Sequence, residues 1–219
     1  MKQPEVLFED PFLLVLNKPA GLSVQGGQGA GLALDSLLAR LYKPRPLLVH
    51  RLDRDTSGVI VTAKTREAAA ACASLFTGGA GMEKHYLALC AGSLDKKGRV
   101  EKSLQVKGRE REALTCYVRR AYSRRLDCSL ADMEPATGRM HQIRRHLAAL
   151  GRPILGDGKY GDYGLNRELK KKTGLKRLLL HALSIRFPHP LGGGVVAAEA
   201  PLPDHFTDFL EQAGIALPR

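Results

Sequence analysis

LLVHRLDRDTSGVIVTAK, residues 47–64, is the stretch from which the rest of this chain is read. Two short apolar runs, 47–49 and 59–61, have the character of strand ends. Between them, residues 50–58 combine a histidine, two arginines, two aspartates, a threonine, a serine and a glycine. An ordinary hairpin connection needs only a few Gly, Asn or Asp residues. A loop held between buried strands is where a rigid scaffold presents reactive side chains. The bland alternative is a solvated, salt-bridged loop.

The chain has 219 residues, enough for one or two domains with a proper core. Hydrophobic residues at 44% and charged residues at 26% describe an ordinary globular composition. No apolar run reaches bilayer length, and the start, MKQPEVLFED, has no signal-peptide core. The expected location is the cytoplasm, with no membrane partner. Lys and Arg outnumber Asp and Glu by 34 to 22, a net charge of +12 that favours a polyanion such as nucleic acid. Cys72, Cys90, Cys116 and Cys128 show no CxxC spacing and read as reduced thiols in or near the core. With no Trp and 5% aromatic residues, binding should lean on charge and shape rather than on a broad stacking platform.

Outward from the central loop, residues 5–9 and 12–17 read as strands, broken by the turn Lys18-Pro19-Ala20-Gly21. GQGAG at 27–31 reads as flexible. Leu34, Leu37, Leu38 and Leu41 then mark one face of a helix ended by Pro44 and Pro46. An Ala-rich helix over 66–76 stops at Gly78 and Gly79. Residues 83–92 alternate as a strand, with Tyr86, Ala88 and Cys90 on one face. Three further strands are expected over 98–106, 112–122 and 125–134. In 137–151 Thr137 is placed to cap a helix that Gly151 closes, with Ile143, Leu147 and Leu150 toward the core and His141, Arg144 and Arg145 opposite. A buried strand over 178–187, a strand over 195–200 and a helix over 204–212 complete an α+β chain with a mixed, mostly antiparallel sheet and flanking helices.

HRLDRDTSG resembles the HRLDxxTSG signature of the RluA-type pseudouridine synthases, which isomerise uridine in RNA; seven of its nine positions are specified. NKPAGLSV resembles the family's opening motif, EKHYLALC its K-x-Y segment, and Thr115-Cys116-Tyr117 sits where relatives place T-x-Y. TGRMHQIRRHLA is close to the family's TGRTHQIRVHLA, departing at Met140 and Arg145, and ILGDGKYG at 154–161 continues the match. Residues 161–182 are more similar to the subgroup acting on large-subunit ribosomal RNA than to transfer-RNA-specific members. The resemblance implies the family's curved central sheet. It also implies a single catalytic domain over 1–219, without the small RNA-binding domain that many relatives carry ahead of it.

Making pseudouridine breaks the C1′–N1 bond, rotates the uracil and rejoins it through C5, a rearrangement that needs no metal and no nucleotide cofactor. The sequence shows no metal-ligand spacing, P-loop or Rossmann glycines. The resemblance makes Asp53 the acting carboxylate, attacking C1′ or taking the C2′ proton of a flipped-out uridine. Arg144 is the implied cation that keeps it ionised. At about 4 Å and an effective dielectric of about 20 such a contact carries roughly 4 kcal/mol of Coulomb energy before desolvation. Tyr86 matches the tyrosine that packs on uracil and is a candidate to remove the C5 proton. The resemblance also implies that Leu180, or a neighbour in the LLLHA run, forms the apolar side of the base pocket and that Arg51 fills the gap the flipped base leaves. His50, Arg54, Arg139 and His141 complete the expected RNA contacts, with Arg145, Arg177 and the 170–172 lysines as further phosphate partners. Asp55, Thr56 and Ser57 are expected to support the loop, and Lys18 to belong to a structural turn.

The expected partner is RNA, ribosomal first and transfer RNA second. Two other classes compete with a synthase. A non-catalytic RNA-binding module of the same fold has no special need for Asp53. A nucleoside or glycoside hydrolase needs a second acid such as Asp55 and releases free base.

Overall fold

The computed structural model describes residues 3–26, 32–78, 81–106 and 108–216. The expectations for 27–31 and for Gly79 lie outside them. The chain groups into two compact units, Met1–Lys84 with Ala182–Pro201 and His85–His181 with Leu202–Arg219. Every strand pair whose register is defined runs antiparallel. The architecture is α+β, as expected.

The first unit is built on β1 (Glu5–Glu9), β2 (Leu13–Lys18), β3 (Leu47–Leu48) and β4 (Ser57–Ala63), with α1 (Leu34–Leu41) and α2 (Arg66–Gly78). β2 lies between β1 and β4, and its last pair, Lys18 with Gly58, sits beside the end of the central loop. All seven residues of β4 are buried, which explains its uninterrupted small and apolar sequence. Leu13 and Val15 of β2 and Val59, Val61 and Ala63 of β4 pack with Ala68 and Cys72, one turn apart on α2. α2 runs two residues beyond its expected end.

The second unit contains β5 (Glu83–Ala91) from its third residue on, β6 (Lys97–Glu101), β9 (Leu114–Ser123) and β10 (Cys128–Pro135), ordered β5-β10-β9-β6, and a small hairpin of β7 (Leu104–Val106) and β8 (Arg109–Arg111). The single strand expected over 98–106 is thus two, with the hairpin as an added feature. Helices α3 (Gln142–Ala149), α4 (Tyr163–Thr173) and α5 (Asp204–Ala213) belong to this unit. The remaining strands are β11 (Leu180–Pro188), which starts in the second unit and continues in the first, and β12 (Val195–Glu199), its antiparallel partner.

Two details depart from the sequence reading. α4 is an unanticipated helix, capped by the Asp162 side chain, which accepts from Leu165 N–H, and closed by Gly174 in the left-handed region. Cys116 is exposed, whereas Cys72, Cys90 and Cys128 are buried. Strand alternation explains this, since Thr115 and Tyr117 on either side take the inward positions of β9. Burial raises the three inner thiols to about 11, 12 and 12, leaving them inert at neutral pH. No helix among the described residues is long and apolar enough to cross a membrane.

Candidate active site

The first unit fixes the central loop from below. Lys18 is fully buried, and its Nζ donates to the carbonyls of Pro19 at 3.1 Å, Leu22 at 2.9 Å and Arg54 at 3.1 Å. Three ammonium donors meet three acceptors, which is how a buried cation becomes tolerable. Burial lowers its pKa to about 8, opposed by the negative charges of Asp55 and Asp53. The loop is further tied by Gly21 N–H to Arg54 O at 2.8 Å and by Arg54 Nε to Gly21 O at 3.2 Å. Thr56 N–H closes a turn onto Asp53 O at 3.2 Å. Lys18 therefore has the structural part expected of it.

Asp53 is half-buried between buried Leu52 and exposed Arg54, and Arg51 is exposed. His50, one of the expected RNA contacts, is held by the scaffold. Its Nε2 accepts Val61 N–H at 2.8 Å, and its ring stacks on Phe76 with centroids 4.3 Å apart. Both contacts hold the loop to the scaffold. Thr56 departs from expectation: its hydroxyl is buried and has no hydrogen-bond partner, so it fixes no turn.

The His50 environment has a measurable consequence. Burial first, and then the Lys84 charge, lower its pKa to about 3, against a backbone hydrogen bond to Arg51 that favours the cation. The unfolded chain takes up this proton near pH 6.5 and the folded one does not. The associated stability is complete above about pH 6.5 and is lost as pH falls toward 3. His50→Gln, which keeps an acceptor for Val61 N–H, should lower the pH slope of the unfolding free energy in that window by about one proton. Denaturant titrations at several pH values measure it; an unchanged slope refutes the assignment.

In the second unit, α3 starts later than its sequence suggests. His141, not Thr137, is the N-cap, in the left-handed region at φ 55°. Thr137 Oγ1 instead donates to Gln142 Oε1 at 2.6 Å and accepts Leu114 N–H at 3.3 Å. Gln142 is buried: Oε1 also accepts Arg139 N–H, and Nε2 donates to Leu114 O and Thr115 Oγ1. Ile143 and Leu147 anchor the helix among Ala131, Met133 and Ile154, each contributing about 1.5–3 kcal/mol of burial. Leu150, expected inward, is exposed, and Arg144, expected on the polar face, is 8% exposed.

Arg144 can be buried because a carboxylate meets it there. Nε donates to Asp157 Oδ2 at 2.8 Å and Nη2 to Oδ1 at 2.9 Å, the bidentate fork that matches guanidinium to carboxylate. Asp157 Oδ1 also accepts the N–H groups of Lys159 at 2.8 Å and Tyr160 at 3.0 Å. Burial alone would raise the Asp157 pKa. The Arg144 hydrogen bonds, those two backbone donors and the Arg144 charge bring it below the ordinary value. The Tyr160 ring lies 5.1 Å from the guanidinium carbon, and its hydroxyl is 2.9 Å from His141 Nδ1.

Of the other expected residues, Leu180 is 4% exposed, and Tyr86 is half-buried against the same cluster. Arg139 is exposed, with Nε donating to Glu112 O, and Arg145 Nη1 donates to Gln105 O, so the charge at this departure from the family pattern grips the protein's own backbone. Asp53, Arg51, His50 and Arg54 lie in the first unit; Tyr86, Arg139, His141, Arg144 and Leu180 in the second. Asp157 and Tyr160 were missed. The signal for them was present, an aspartate two and three residues before backbone donors in a glycine-bounded segment, which is Asx-turn chemistry.

The α+β scaffold thus carries a tied-down acidic loop in its first unit and a buried, carboxylate-braced arginine in its second. The chain belongs to the RNA pseudouridylate synthase family, whose model matches residues 12–149. It is similar to the ribosomal large subunit pseudouridine synthase C of Buchnera aphidicola, at 38% identity over 94% of this chain and 69% of that protein. The protein of the same name from Escherichia coli K12 is 38% identical over 90% of this chain and 66% of its own length. The solved human RNA pseudouridylate synthase domain containing 4 superposes with a TM-score of 0.81 at 28% identity, covering 98% of this chain and 94% of that one. The chain is accordingly an RNA isomerase that converts uridine to pseudouridine.

Proposed function

We propose that the substrate is large-subunit ribosomal RNA in the cytoplasm, and that Asp53 attacks C1′ or abstracts the C2′ proton of a flipped-out uridine. The observation carrying the choice of RNA is the 38% identity, across nearly the whole chain, to proteins that act on the large ribosomal subunit. The role of Asp53 is supported by its place in HRLDRDTSG and by a loop backbone pinned through Lys18 and His50. A carboxylate must be pre-positioned to meet a sugar carbon, and a loop with this many internal ties loses little entropy in doing so. Arg144 serves as the cation favouring the ionised carboxylate, Tyr86 packs on the uracil and removes the C5 proton, and Leu180 borders the base. Arg51, His50, Arg54, Arg139 and His141 contact RNA, and His50 also holds the loop. Both units serve one catalytic domain, a reading supported by a family match that runs through residues of each.

The test uses RNA carrying tritium at uracil C5. Large-subunit ribosomal RNA should release tritium to water with no change in chain mass and no free uracil. Release from transfer RNA alone would reassign the substrate, free uracil would mean hydrolysis, and binding without release would leave only an RNA-binding module. Arg51→Ala should slow turnover about 10-fold or more on structured RNA and far less on flexible single strands, because only the former leaves a gap in a stack. Equal losses on both refute its part in flipping.

A further inference from the structure

We infer that Asp157, with Tyr160, is the positioning device that sets the orientation of the Arg144 guanidinium for the reaction. This rests on the role proposed above for Arg144. A bare arginine side chain has four rotatable bonds, and a cation left to sample them would spread its field over several ångströms. Here Nε and Nη2 are locked to the two oxygens of a single carboxylate, which fixes the guanidinium plane as well as its place. Arg144 Cζ lies over the Tyr160 ring, 5.1 Å from its centroid.

The brace is itself held. Asp157 is 2% exposed, and its carboxylate also takes the Lys159 and Tyr160 N–H groups. Asn166 Oδ1 accepts Gly156 N–H at 2.9 Å, and its Nδ2 donates to Asp157 O at 3.1 Å, tying the segment to α4. Gly156 and Gly161 permit the path: a Cβ at the first would fall 2.0 Å from Arg177 O and at the second 2.2 Å from Asp157 O. The circuit closes through Tyr160 Oη and His141 Nδ1, at the N-cap of the helix that carries Arg144. A purely structural ion pair would need none of the ring cover or the tie to the N-cap.

Asp157→Asn keeps the shape and removes the charge and one acceptor. The single-turnover rate of tritium release should fall about 100-fold, as expected for an ångström-scale loss of placement, with RNA affinity changed less than about 3-fold. Because Asp157 acts through Arg144, adding Asp157→Asn to Arg144→Lys should slow that variant by no more than about 3-fold. Independent, multiplying losses overturn the inference, as does a near-normal rate for Asp157→Asn. A normal rate for Arg144→Lys alone defeats the role proposed for Arg144, and the inference with it. Should Asp157→Asn not melt cooperatively, Tyr160→Leu carries the same test. Its expected loss of about 10-fold must likewise vanish in the Arg144→Lys background, and persistence there overturns the inference.

Discussion

Asp53→Asn should abolish tritium release from C5-labelled RNA while the RNA still binds. Asparagine has the same outline but neither a nucleophilic oxygen of comparable strength nor the basicity to take a C2′ proton, so both routes open to Asp53 close together. The expected loss is on the order of 10³-fold or more in single-turnover rate, in the range seen when the atom that makes or accepts a bond is removed from an enzyme. Affinity should hold within about 3-fold, because most binding free energy for RNA comes from phosphate contacts spread over many cations. The loop itself should survive, since the ties that hold it are backbone groups, Lys18 and His50 rather than the Asp53 carboxylate alone. A variant that retains a tenth of the parental rate would remove Asp53 from the chemistry.

Gly58→Ala is the substitution with the largest expected cost in stability. Gly58 closes HRLDRDTSG at φ 108°, a conformation that L side chains rarely adopt. A Cβ there would lie 2.1 Å from Ala182 O, 2.7 Å from its carbonyl carbon and 2.8 Å from its nitrogen, all backbone atoms that cannot swing aside. Strained backbone costs about 1–3 kcal/mol and forced overpacking about 1–3 more, so the variant should lose roughly 2–6 kcal/mol by denaturant titration. Gly26→Ala, with nothing within 4 Å, should stay within about 0.5 kcal/mol of the parent. The contrast ties the signature glycine to close strand approach as well as to the turn. A loss below about 1 kcal/mol at Gly58 would separate the two.

Local periodicity made much of the fold legible. β1, β2, β5, β12, α1 and α5 follow their sequence patterns to within one or two residues, because alternation and the 3.6-residue repeat report which side of an element meets the core. The long strand expected over 98–106 failed because hydrophobic alternation does not register a hairpin fold-back of three-residue strands. α4 went unseen because its sequence, YGLNRELKKKT, buries only Leu169; its caps, Asp162 and Gly174, were the better evidence.

The candidate site divides along the same line. The HRLDRDTSG string sufficed to nominate Asp53 and to mark its loop as more than a turn, because residue types in a fixed short spacing are a local property. Only tertiary structure turned His50 inward as a neutral loop support, left Leu150 in solvent and buried Arg144 instead. A helical face predicts a charge outward because a lone buried cation is too costly. That rule gives way when a partner arrives from elsewhere in the chain, and Asp157 arrives thirteen residues later, where no periodicity reaches. Side-chain chemistry was written in the sequence, whereas the pairing of charges depended on which distant segments the packed core brings to the same place.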